Sequence, residues 1–105
     1  MILIHIRSTS LEQTYEIIDY LLDEDLILEP IVTEKIYLRK KNQPGAFENE
    51  NQFLTMAKTK ALLYGKIEYL LKKKYKENIP DLYSLPIVNM DWKKAEPLQE
   101  VERKS

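Results

Sequence analysis

Apolar and polar positions alternate over residues 2–7, ILIHIR, placing Ile2, Ile4 and Ile6 on one face and Leu3, His5 and Arg7 on the other. A two-residue period predicts a strand, apolar on one side and mixed on the other. Ser8, Thr9 and Ser10 follow with capping hydroxyls, and either Thr9 with Glu12 or Ser10 with Gln13 fits a capping box. From Leu11 to Asp23 the period becomes helical. Leu11, Tyr15, Ile18 and Leu22, joined by Thr14, Ile17 and Leu21, make one stripe, and Asp23-Glu24-Asp25 ends it. Residues 26–41 are rich in β-branched and aromatic types and predict a second strand, best formed over 31–39. Pro30 marks a bulge, an edge or a strand start there, because proline has no N–H for a ladder bond. Residues 40–49, KKNQPGAFEN, predict a loop around a Pro44-Gly45 turn. Gln52 to Thr59 predicts a third strand, with Phe53, Thr55 and Ala57 opposite Leu54 and Met56. The second and third strands should form a long hairpin with a mobile tip.

Residues 60–77 predict a second helix with a buried stripe of Leu63, Ile67, Leu70, Leu71 and Tyr75, flanked by Leu62 and Tyr69. Gly65 costs about 1 kcal/mol relative to alanine in a helix interior, which suggests a close approach to a neighbouring element. Asn78 and Pro80 end the helix. Residues 82–88 predict a fourth strand, restricted by Pro86 to an edge or to its last residues. Asn89 or Asp91 then caps a short C-terminal helix that Pro97 limits.

The order β-α-β-β-α-β with a terminal helix is the split β-α-β pattern of an α+β, ferredoxin-like antiparallel sheet. Both helices should pack on one face. The strands nevertheless offer apolar residues in both parities: Leu3 beside Ile2 and Leu54 beside Phe53. A sheet apolar on both faces needs a second cover, and a further copy of the chain is the natural one at this length.

The chain has 105 residues, which suits one domain over 1–105. It contains no cysteine, so disulfide and thiolate chemistry are excluded and the cytoplasm is the default location. No apolar run is long enough for a membrane span, and the N-terminus lacks the basic region and cleavage site of a signal peptide. The net charge of −1 argues against nucleic acid as a partner. Charge is nonetheless uneven: residues 1–56 carry 5 Lys/Arg and 10 Asp/Glu, and residues 57–105 carry 11 and 7. An acidic first helix beside a basic second helix explains this better than a nucleic-acid patch.

Candidate chemistry is sparse. His5 is the only histidine. It could ligate a metal with carboxylate partners, but a lone imidazole on a strand is more often structural, since copper and zinc sites want several N or S donors. Asp23 and Asp25 could bind a hard cation, yet neither calcium-loop spacing nor its glycine follows. Lys58 and Thr59, where the third strand meets the second helix, could meet a small anion at the helix N-terminus, or simply end a strand and cap a helix. Tyr75 and Tyr83, with Tyr64, Tyr69 and Trp92, could line a subunit cleft, or lie at the edge of the core. No nucleophile elbow, phosphate-binding glycine loop or metal-hydrolase helix is present, so no enzyme activity is expected.

The turn Ser8-Thr9-Ser10, the Lys58-Thr59 pair, the run from Ile79-Pro80-Asp81-Leu82 to Leu85-Pro86-Ile87, Trp92 and Tyr37 together resemble the CutA family, the divalent-cation tolerance proteins. The likeness covers nearly the whole chain. It implies a ferredoxin-like subunit, a tight homotrimer with strands extended between subunits, and a non-enzymatic role linked to copper or another divalent cation. The architecture is also similar to that of PII-type signalling proteins. That similarity implies an alternative: a sensor of a small anionic ligand at subunit clefts, with 42–50 as its responsive loop, or a ligand-free interaction protein on the same trimer. The chain departs from the family pattern at Tyr75-Lys76-Glu77-Asn78, where the family has His-x-Tyr-Glu, at Leu38 and Arg39, where tryptophans are usual, and in having no cysteine near Glu29-Pro30.

Overall fold

The computed structural model describes residues 1–89 and 97–99. The expected C-terminal helix and Trp92 lie outside the described residues. Strand β1 spans Ile2–Ser8, helix α1 Leu11–Asp23, β2 Leu28–Gln43, β3 Ala46–Thr59, helix α2 Tyr64–Lys74 and β4 Asp81–Pro86. The strands form one sheet in the order β2-β3-β1-β4, antiparallel at every pairing. This is the α+β, ferredoxin-like arrangement read from the sequence.

The pleat of β1 sorts the sheet into two faces. Ile4 and Ile6 pair with Ala57 and Thr55 of β3 and meet the helices. There they join Ile17 and Leu21 of α1, Leu26 and Ile27, and Leu63, Ile67 and Leu71 in one buried cluster. Leu3, His5 and Arg7 point the other way, beside Lys58, Met56 and Leu54 of β3 and Leu85, Tyr83 and Asp81 of β4.

Helix α1 starts at Ser10, whose hydroxyl accepts the Gln13 N–H at 3.2 Å. The reciprocal half of a capping box is missing, because the Gln13 side chain donates to the Asn78 carbonyl at 2.7 Å. Thr14 is bonded to the Ser8 hydroxyl and to the Ser10 carbonyl. These polar ties turn the helix so that Gln13 and Thr14 are buried while Leu11, Tyr15 and Leu22 are exposed, correcting the expected stripe. The acidic end of α1 is a Schellman cap. Asp25 takes a left-handed φ of 54°, its N–H bonds the Leu22 carbonyl, and the Leu26 N–H reaches Leu21. Gln99 adds to this end, donating its backbone N–H to Asp25 and its side-chain amide to Glu24, while Lys60 and Lys66 donate to it.

Helix α2 is shorter than the periodicity predicts. A 3-10 turn over Ala61–Leu63 precedes it, and Tyr75 leaves the helix with φ −118° and ψ 63°. The Tyr75 hydroxyl is drawn to the Glu16 carboxylate of α1 at 2.5 Å, and Lys74 lies 3.7 Å from the same carboxylate. The acidic and basic helices are thus neighbours. Gly65 meets nothing within 4 Å of where a Cβ would sit, so the expected close approach is absent.

The hairpin departs furthest from its expectation. Residues 40–49 are ladder rather than loop: β2 and β3 stay paired out to Gln43 and Ala46, across a turn with Gly45 at φ 79°. Lys40 and Glu50 form an ion pair at 2.7 Å, and Arg39 stacks over Phe47 while bonding Asn49. Beyond Ser8 no third strand joins the ribbon among the described residues, and the molecule measures 52 × 29 × 26 Å. Pro30 sits, as expected, at an edge-strand irregularity, between Leu28 and Ile31, where Glu29 adopts φ 48°.

Candidate functional site: the helix-free face

The face away from the helices carries Leu3, Leu54, Met56 and Leu85 around a polar centre. Strand alternation produces it, since every residue of β1 with the parity of His5 must point away from α1 and α2. Tyr83, Leu85 and Ile31 are exposed here, at 44%, 50% and 60%. These are large fractions for apolar side chains aligned in register on one surface.

At the centre the His5 ring stacks on the Tyr83 ring, with centroids 4.7 Å apart and planes 9° from parallel. The register pairs the two residues directly across β1 and β4. An ion pair lies on either side. Arg7 meets Asp81 at 2.8 Å, and Lys58 meets Glu29 at 3.0 Å. Among the described residues, the buried side-chain polar atoms without a hydrogen-bond partner are His5 Nδ1, Arg7 Nε and Gln52 Oε1. All three belong to residues whose register places them on this face. Enclosed polar atoms are normally satisfied, so the concentration of exceptions marks this surface.

The remaining candidates divide between the two sides of the sheet. Lys58 and Thr59 point to opposite faces of β3: Lys58 is paired with Glu29, and buried Thr59 donates to the Leu26 carbonyl at 2.7 Å. Tyr75 belongs to the helical layer and Tyr83 to the open face. Burial first, and then the bond to Glu16, push the Tyr75 phenol well above its ordinary range. Tyr64 is raised by burial and by Glu68, and its hydroxyl donates to the Leu82 carbonyl at 3.3 Å. Glu50 is held low by its bonds from Lys40 and Gln52. Asp23 and Asp25 sit at the C-terminal end of α1, in the layer opposite His5. Among the described residues no three His, Cys, Asp or Glu side chains gather as metal ligands. A small pocket of about 110 Å³ lies between α2 and β4, lined by Glu68, Leu71, Lys72, Ile79, Pro80, Asp81 and Leu82.

Sequence reasoning identified the apolar residues of the open face but missed its paired charges. Arg7 shares the parity of His5, which was visible. Its partner Asp81 depends on the β1–β4 register, which links residues 74 positions apart. The Lys58–Glu29 pair depends on the bulge after Leu28.

A four-stranded antiparallel sheet with two helices on one face and a long projecting β2–β3 hairpin defines a ferredoxin-like domain with one side left open by the described residues. Solved structures share this design across almost their entire length. CutA1 from Oryza sativa matches with a TM-score of 0.80 at 16% identity, covering 95% of this chain and 94% of that one. The divalent cation tolerance protein CutA1 from Thermus thermophilus matches at 0.77 and 20% identity, covering 94% and 96%. The periplasmic divalent cation tolerance protein CutA from Archaeoglobus fulgidus matches at 0.75 and 20%, covering 93% and 95%. The chain therefore has the CutA1 fold. No family model matches it, and no curated protein matches it by sequence. No described helix is long and apolar enough to cross a membrane.

Proposed function

We propose that the chain is a diverged member of the CutA family and acts in divalent-cation tolerance as a non-enzymatic, cytoplasmic homotrimer. The observation that carries this reading is the fold match over nearly the full length of both partners in each comparison. At these identities the match establishes shape, and the role follows from what the matched proteins are. The exposed apolar side chains of the helix-free face supply independent support for assembly. So does the β2–β3 ribbon, since a two-stranded hairpin is marginal in water unless something packs on it. The number three rests on the family resemblance.

Copper or another divalent cation is the proposed effector. His5, Asp23 and Asp25 do not meet within one chain, so a site using them draws donors from more than one copy. Calorimetric titration of the assembled protein with copper and zinc, beside a panel of nucleotides, tests this reading. Saturable cation binding with a fixed stoichiometry supports it, together with loss of copper tolerance when the gene is deleted. Nucleotide binding without cation binding replaces it with the sensor alternative. Fractionation tests the location, since the Archaeoglobus fulgidus protein is described as periplasmic.

A further inference from the structure

We infer that the junction between the end of α1 and the start of α2 is a recognition site for a leucine–glutamine segment, filled in this chain by its own Leu98-Gln99. Gln99 is engaged there through both its backbone and its side chain. Its N–H donates to the Asp25 carbonyl at 3.0 Å, and its side-chain amide donates to the Glu24 carbonyl at 2.6 Å. Its carbonyl accepts from Lys60 at 2.7 Å, and its side-chain oxygen accepts from Lys66 at 3.0 Å. Leu98 beside it keeps only 3% of its surface. One enclosed apolar anchor and one residue bonded at four points together form a two-residue address, the combination by which sites fix orientation and specificity. The inference depends neither on assembly nor on a cation.

The site follows from how one helix ends and the next begins. The cap of α1 satisfies the carbonyls of Tyr20, Leu21 and Leu22 from within, through the N–H groups of Glu24, Leu26 and Asp25. The carbonyls of Glu24 and Asp25 lie past that turn, and Gln99 supplies a donor to each. Lys60 precedes the 3-10 turn and Lys66 lies in the first turn of α2, so the start of the second helix supplies cationic donors in return. This pairing of a carbonyl with an ammonium demands an amide. A glutamine side chain offers an N–H to the one and an oxygen to the other at the same time. A glutamate side chain offers acceptors alone. It would set a carboxylate oxygen against the Glu24 carbonyl, beside Asp23, Glu24 and Asp25 at the negative end of α1.

The experiment frees the site in the full-length chain and refills it from outside. Leu98→Ala combined with Gln99→Glu weakens the resident segment and leaves Glu24, Asp25, Lys60 and Lys66 in place. Nitrogen-15 NMR then follows a titration with the capped tripeptide acetyl-Pro-Leu-Gln-amide, the sequence of residues 97–99. The expected result is a saturable shift of the Asp25, Leu26 and Lys60 amides in the double variant. The peptide with glutamate in place of glutamine should bind about tenfold more weakly, the fold-change of one polar group left unpaired. Wild type should need more peptide for the same shift, because a segment on the same chain competes at an effective concentration on the order of millimolar. A folded double variant that shows no saturable shift overturns the proposal. So does equal binding of the glutamine and glutamate peptides, and so does a wild-type response identical to that of the variant. A double variant without a dispersed spectrum is replaced by Gln99→Ala, for which the same outcomes are read.

Discussion

Ile4 and His5 are adjacent in sequence and lie on opposite sides of one sheet. Ile4 is wholly buried among aliphatic side chains from two helices and two strands. His5 is nearly as buried, yet it sits among exposed apolar residues, two ion pairs and polar atoms without partners. The first face is complete within one chain. The second has the composition of a face awaiting a cover, because large apolar side chains in register cost free energy when left open to water. On the assembly proposed above, stability within the chain and association between chains are divided between the two faces.

The largest effect should come from the covered side. Ile4→Ala should cost about 2–5 kcal/mol in urea unfolding, the usual range for emptying a packed aliphatic site. Leu85→Ala, on the open side, should cost less than about 1 kcal/mol when measured at a concentration where copies are separated, because that side chain is half exposed in the single chain. Equal costs would erase the distinction between the faces.

A second contrast lies within the helical layer. The proton on Tyr75 is held more tightly in the folded chain than in the unfolded one. The stability it contributes is therefore complete below the unfolded value of about 10 and is lost as pH rises from there towards the folded value. Tyr64 acts in the same sense. Tyr75→Phe should cost roughly 1 kcal/mol at pH 7 through the lost bond to Glu16. It should also flatten the decline in urea midpoint between pH 9 and pH 11. An unchanged alkaline slope would show that the Tyr75–Glu16 tie between α1 and α2 contributes little.

Smaller gains are expected where the helical layer carries local strain. Asp25→Gly should raise stability by about 0.5–1 kcal/mol, since glycine takes the left-handed cap position without a Cβ penalty. Gly65→Ala should raise it by roughly 0.5 kcal/mol, because alanine favours the helix and its methyl meets open space. Loss of stability in Gly65→Ala would mean that another copy approaches α2 there, placing part of the contact on the helical side.

The elements were legible where periodicity is local. The alternation in ILIHIR defined β1 and both of its faces, and the stripe Leu63, Ile67 and Leu71 defined the buried side of α2. The signals that failed were those decided by distant partners. Polar residues at 40–49 read as loop, but their cross-strand pairs, Lys40 with Glu50 and Arg39 with Asn49 and Phe47, hold them in a ladder. Tyr75 fits the helical stripe and packs on the core, but it is the cap residue where α2 ends, with its hydroxyl bonded to Glu16 of α1. Leu11, Tyr15 and Leu22 match the apolar period, while the bonds made by Gln13 and Thr14 settle the rotation of α1. The open face was half legible: its apolar residues follow from parity, and its ion pairs follow only from register.

Sedimentation velocity of the wild-type chain beside Leu85→Asp tests the division between the faces most directly. A carboxylate at position 85 sits at an exposed site opposite Leu3, so the single chain should keep its fold, checked by an unchanged far-UV circular dichroism spectrum. The account predicts that wild type sediments at micromolar concentration as one discrete oligomer, of three copies, and that Leu85→Asp sediments as a folded single chain. A wild-type protein that sediments as a stable single chain would contradict it, as would a Leu85→Asp variant that assembles as tightly as wild type.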